Sequence, residues 1–144
     1  MKLSKEYLNN VGACQSGVEW FCGQTETDGI KVVGKLIKQK QNEWANWIMA
    51  RMLDKVNKVR YAIYSAELVI DIFEKKYPND NRPRKSIECA KAWIENPTEE
   101  NRLKCAYASE SAYTSASASA RNKHQIKILK YGIKLLKSQE ASNG

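Results

Sequence analysis

The chain has 144 residues, enough for one core of ordinary size. Hydrophobic residues make up 42% and charged residues 28%, which excludes a disordered chain, while 7 glycines and 3 prolines are too few for the turns of a β-sandwich or barrel. A net charge of +8, from 24 basic and 16 acidic residues, points to acidic partners: nucleic acid, an anionic membrane surface or an acidic protein face.

Read in chain order, the sequence is helical throughout. Residues 3–10 form a short helix capped by Ser4, and Gly12 breaks it. Residues 13–22 (ACQSGVEWFC) form a second helix, stopped near Gly23. The run TETDGIKVVGKLIKQKQ gives a third over about 28–40, with Val32, Val33, Leu36 and Ile37 on one face. In NEWANWIMARML, Trp44, Trp47, Ile48 and Met52 recur at steps of three and four, after a cap at Asn42.

The strongest periodicity lies in DKVNKVRYAIYSAELVIDIFEKKYP. Val56, Val59, Ile63, Ala66, Ile70, Phe73 and Tyr77 make one apolar stripe, capped by Asp54 and stopped by Pro78. Leu68, Val69 and Ile72 widen that face. Pro83 suits the first turn of a sixth helix that buries Ile87, Ala90, Trp93 and Ile94. Pro97 opens a seventh, with Glu99 and Glu100 against its dipole.

That helix continues through CAYASESAYTSASASA, where alanine and serine let neighbours approach and Tyr107 and Tyr113 fill space. Unbroken helix from 98 to 138 would span roughly 60 Å, too long for a domain of this size, so a turn is expected near Arg121–His124. A last helix then carries Ile126, Leu129, Ile133 and Leu136. The expected fold is all-α: a compact single domain over 1–144, with about seven to eight helices around a long central helix at 54–77.

No apolar run approaches the ~20 residues of a membrane span, and MKLSKEYLNN lacks the apolar stretch of a signal peptide. The expected location is the cytoplasm, where Cys14, Cys22, Cys89 and Cys105 stay as thiols. With no Cys-x-x-Cys pair and one histidine, His124, no metal site and no cofactor are expected. The cysteines read as small buried apolar residues, because no base is placed to activate a thiol. Carboxylates at Glu99–Glu100 and around Asp71–Glu74 read as helix starts or solvated faces, and no phosphate-binding loop or dinucleotide fingerprint is present.

Two basic features are candidate binding elements. Lys123, Lys127, Lys130, Lys134 and Lys137 recur at steps of four and three, so they share one helix face opposite Ile126, Ile128, Leu129, Ile133, Leu135 and Leu136. That face is either a docking stripe for an acidic protein or a phosphate backbone, or simply the solvated side of an amphipathic helix. Nucleic acid has only Tyr131 nearby for stacking, and a membrane would need the apolar arc that the core uses. Arg82 and Arg84, flanking Pro83, could grip a carboxylate or phosphate, or tie the 78–84 loop to Asp80 or Glu88.

Two segments then carry a resemblance. GACQSGVEWF resembles the Gly-Ala-Cys-x-x-Gly/Ala-Leu/Val-x-Trp motif of small helical immunity proteins related to the type-five immunity proteins of bacterial toxin systems. NRPRKSIECAKAWIENP is similar to the same family's Arg-Pro-Arg-x-x-Ile-Glu-x-Ala-x-x-Trp segment. The shared positions are Cys14, Gly17, Trp20, Arg82, Pro83, Arg84, Ile87, Glu88, Ala90 and Trp93. The resemblance implies a helical protein that binds and blocks a partner and has no catalysis of its own. The partner would be a toxin or, for related domains in phage genomes, a host defence protein. Inhibitors of nucleases are usually acidic, so for an inhibitor of charge +8 either the target surface is acidic or contact is made through an untypical patch. The alternative is a small basic nucleic-acid-binding protein acting through the lysine stripe.

Overall fold

The computed structural model describes residues 1–102 and 118–142. All regular structure among them is helical: α1 (Lys5–Asn10), α2 (Gln15–Cys22), α3 (Gly29–Lys38), α4 (Asn42–Met52), α5 (Lys55–Lys76), α6 (Arg82–Glu95) and α7 (Ala118–Ser142). Residues 99–102 add a helical turn. The single bridge, Lys2 to Asp28, is isolated. The all-α expectation therefore holds. The Ala/Ser-rich stretch, with Cys105, Tyr107 and Tyr113, lies outside the described residues apart from its last positions.

Two units can be distinguished. The first comprises 1–54 and 129–144, the second 55–128. In the first, α1 packs on α2 and α3 on α4. The Ser4 hydroxyl accepts a hydrogen bond from Tyr7 N at 3.0 Å, and Asp28 caps α3 by accepting from Lys31 N at 3.0 Å. α1 ends in a Schellman turn: Gly12 takes φ +75°, Gly12 N donates to Asn9 O and Ala13 N to Leu8 O. α3 ends the same way, with Lys40 at φ 60° and Gln41 N donating to Leu36 O. Lysine bears a Cβ penalty there that glycine would not.

The core of this unit is apolar. Val33, Ala45, Met49 and Leu129 are fully buried, and Val32, Leu36, Ile48 and Leu53 nearly so. Gln139 joins α7 to the end of α4: its amide donates to Met52 O at 3.1 Å and its carbonyl accepts from Asp54 N at 2.9 Å.

In the second unit, α5 packs on α6 around Ile63, Ile70 and Ile87, flanked by Val59, Ala66, Ala90 and Ile94. Exposed ion pairs run along the same two helices. Arg84 forks onto Glu74, with Nε to Oε1 at 2.5 Å and Nη2 to Oε2 at 2.6 Å, and Lys91 meets Glu67 at 2.6 Å. Lys55 lies 5.3 Å from the centre of the Trp93 ring. Thr98 caps the turn at 99–102 by accepting from Asn101 N.

Several local expectations change. Gln41 occupies the N-cap of α4 and Asn42 is its first residue, one position from the expected cap. Ile72 and Tyr77, expected on the buried stripe of α5, are 48% and 45% exposed, and Ile126 is 41% exposed. No turn interrupts 121–124, because α7 is continuous from Ala118 to Ser142. Arg121, Asn122, Lys123 and His124 include neither glycine nor proline, so nothing local stops the helix.

Candidate functional site

The segment from Gly12 to Phe21 does not pack its small face against a neighbour. Ala13, Cys14 and Gly17 border an open apolar cavity of about 330 Å³ in the first unit. Leu3 and Leu8 close one part of it, Val32 and Leu36 of α3 another, and Glu43, Trp44, Trp47 and Ile48 of α4 the rest, together with Trp20 and Phe21. A Cβ added at Gly17 would meet only Cys14 Sγ, at 3.3 Å. The glycine is thus small toward the cavity and its own helix cap.

Three indoles shape the walls, and Trp20 and Trp47 are held from outside the cavity. Trp20 Nε1 donates to Gln39 Oε1 at 2.8 Å, and its ring meets Trp44 edge-on at 6.4 Å. Arg51 stacks its guanidinium 3.5 Å from the centre of the Trp47 ring. That guanidinium is fixed in turn, donating to Val11 O at 3.2 Å and Trp47 O at 3.1 Å. Lys35 lies 6.0 Å from the Trp20 ring and donates to Gln24 Oε1. The charged residue on the lining is Glu43, exposed and in the first turn of α4.

Cys14 and Cys22 are exposed and free, and Cys89 is half-buried and free. The expectation of buried cysteines fails for the first two, because α2 turns its N-cap and its last residue outward. The Cys14 thiol sits below its ordinary range, chiefly because it hydrogen-bonds the Ser16 hydroxyl at 3.4 Å and then the Gly17 backbone N–H. No base stands beside it in the contacts described. Among the described residues, no group of three or more His, Cys, Asp and Glu could hold a metal ion. Nor is any helix among them long and apolar enough to cross a membrane. Three buried polar atoms lack partners there: Asn42 Oδ1, Ser86 Oγ and His124 Nδ1.

The basic candidates divide. Lys127, Lys130, Lys134 and Lys137 are exposed along α7, opposite buried Ile128, Leu129, Leu135 and Leu136. None of the four makes an ion pair among the described residues. The side chain of Lys123 lies outside the described residues. Arg82 and Arg84 are engaged within the chain. Arg82 forks onto Asp80 at 2.8 and 2.6 Å and draws that carboxyl down to about 2. Arg84 holds Glu74 below the usual carboxylate range and lies 3.8 Å from Asp71.

The cavity went unread in the sequence. Trp44 and Trp47, read in the sequence as periodic positions of one helix, are both half-buried on the cavity wall. The available signal was that three of the chain's 4 tryptophans fall between positions 20 and 47, on two short helices.

Residues 49–121, just over half of the chain, match the family model described as Imm-5 like putative immunity protein. The match takes in the Arg82–Trp93 motif and leaves out the Gly12–Phe21 motif, so every residue lining the cavity lies outside it. No curated protein and no solved structure matches the chain.

Proposed function

The chain belongs to the Imm-5 like immunity family, and from that premise we propose that it is a non-catalytic inhibitor that binds and blocks a protein partner. The partner is a bacterial toxin, or a host defence protein where the chain is phage-encoded. The family match over 49–121 carries this reading. Immunity-type proteins are generally non-catalytic and work through a protein partner, and binding of that kind needs no cofactor.

Charge supports an acidic partner surface. Lys127, Lys130, Lys134 and Lys137 of α7 make no ion pair among the described residues, and the last three lie in the first unit, whereas Arg82 and Arg84 already hold carboxylates of their own chain. Exposed lysines steer encounter and set salt dependence more than they set the lifetime of a complex. The nucleic-acid reading of the same lysines gains no support from the family match.

Co-expression with a candidate toxin from a neighbouring gene is the test. The expected result is restored growth and a purified one-to-one complex whose association rate falls with salt. Lys130→Glu, Lys134→Glu and Lys137→Glu together should slow association about tenfold or more, with the helical spectrum unchanged. Failure to rescue growth and to form a complex with that toxin sinks the reading.

A further inference from the structure

We infer that the three-indole cavity of the first unit is the anchor site for the partner. It takes an apolar side chain that stands next to a lysine or arginine in the partner's sequence. The inference rests on the partner-binding reading above and adds to it the surface and the chemistry of the residue recognised.

Size and walls come first. About 330 Å³ lies at the lower end of ligand pockets, which run from ~300 to ~1,000 Å³, and suits a protruding side chain rather than a large cofactor. An apolar hollow with unrestrained walls collapses on itself, because filling it regains dispersion contacts. Here the walls are restrained. Trp20 is tied to Gln39, Trp47 is clamped by Arg51 onto Val11 O, and Trp44 meets Trp20 edge-on. Helix-ending turns at Gly12 and Lys40 fix the backbone on both sides. A preformed site of this kind avoids the ordering cost of binding, and tryptophan is the residue type most enriched at binding hot spots.

Charge selects the neighbour of the anchor. Glu43 is exposed on the lining, and its carboxylate makes no ion pair or hydrogen bond among the described residues. Glu19, Glu26 and Asp28 of this unit are occupied, Glu19 accepting from Gln15, Glu26 from the Thr27 and Asp28 amides, and Asp28 from Lys31 N. Glu6 of α1, unpaired among the described residues, does not line the cavity. The two cations near the indoles are engaged too, Arg51 with Val11 O and Lys35 with Gln24. The start of α4 already favours a negative charge at Glu43. An incoming cation beside a seated apolar group would complete it.

The location fits a division of labour. The lining runs from Leu3 to Ile48, and the family match begins at residue 49. The part that likens the chain to its family and the part that seats the anchor are thus separate stretches of sequence.

The test is a titration followed by the indole N–H signals in NMR, with N-acetyl-Phe-Lys-amide, N-acetyl-Phe-Glu-amide and N-acetyl-Gly-Lys-amide as probes. Phe-Lys should shift Trp20, Trp44 and Trp47 saturably at millimolar concentration and leave Trp93, in the second unit, unmoved. Phe-Glu should bind about fivefold more weakly, the size of an exposed charge pair, and Gly-Lys should give no saturable shift. Glu43→Gln should bring the Phe-Lys and Phe-Glu affinities level. Gly17→Leu should abolish binding by filling the cavity, with Ala13→Leu as a second filler should the glycine variant lose its fold. No saturable shift with Phe-Lys, or an equal shift at Trp93, overturns the site; equal binding of Phe-Lys and Phe-Glu by the parent chain overturns the cation preference. Rescue of growth without dipeptide binding removes this inference alone, whereas dipeptide binding without rescue removes the partner reading and leaves only a site for an apolar side chain beside a cation.

Discussion

The two units stabilise their helices by different means. The first surrounds Val33, Ala45, Met49 and Leu129 so completely that none has exposed surface, and it tolerates an apolar cavity beside them. The second, among its described residues, joins α5 and α6 through Ile63, Ile70 and Ile87, two of them at 9% exposure, and lays ion pairs along the outside. Its long helix carries the clearest apolar stripe in the sequence, yet leaves Ile72 and Tyr77 half in solvent. Periodicity reports which side of a helix is apolar. It does not report how much protein covers that side.

The largest expected effect tests this contrast directly. Met49→Ala deletes a fully buried side chain, which costs about 2–5 kcal/mol through lost transfer energy and the cavity left behind. Ile63→Ala should cost less, near the bottom of that range, because Ile63 stands at 9% exposure with a thinner described core around it. Urea denaturation of both variants decides it. A greater loss for Ile63→Ala would break the comparison.

A smaller effect, of opposite sign, comes from the first unit's turns. Lys40 holds φ 60° at a Schellman position, and the equivalent place after α1 has glycine, Gly12. Lys40→Gly should therefore stabilise by about 1 kcal/mol, the Cβ penalty of the left-handed conformation less the added chain entropy of glycine. The denaturation midpoint should rise with its slope unchanged. A fall would mean that the Lys40 side chain contributes more than its backbone costs.

Much of the fold was legible because short-range chemistry decides it. Ser4, Gly12, Pro78 and Pro83 act within a turn of their own positions, and each marks the expected boundary. The expected turn at 121–124 came instead from a length limit applied across the Ala/Ser-rich stretch, and no residue in 121–124 enforces it. The candidate site was legible only in its parts. Arg82 and Arg84 showed their pairing potential in the loop sequence, including Asp80 as a partner. The cavity did not show, because a hollow consists of contacts that are not made. Small side chains such as Gly17 and Cys14 do not tell a packed face from an open one, and only the placement of α4 opposite reveals space there.

The smallest expected effect concerns acid, and it separates the units by charge rather than packing. Asp80, Glu74 and Glu99, all in the second unit, have carboxyls depressed chiefly by hydrogen bonds from Arg82, Arg84 and Arg102. A carboxyl whose folded pKa lies below its unfolded value contributes stability that is fully present above the unfolded value. That contribution is lost as pH falls toward the folded value, here from 3.8 to about 2 for Asp80. Arg51, the arginine of the first unit, holds the carbonyls of Val11 and Trp47 rather than a carboxylate. Acid should thus loosen the surroundings of Trp93 before those of Trp20, Trp44 and Trp47, as seen by their indole signals between pH 5 and pH 2. The effect should be slight, since the three pairs are exposed and screened, and raised salt should shrink it further. Arg82→Gln with Arg84→Gln should bring the two sets of indoles to the same acid midpoint. If Trp93 still moves first in that double variant, its acid sensitivity comes from the thinner packing of α5 on α6 and not from the paired carboxylates.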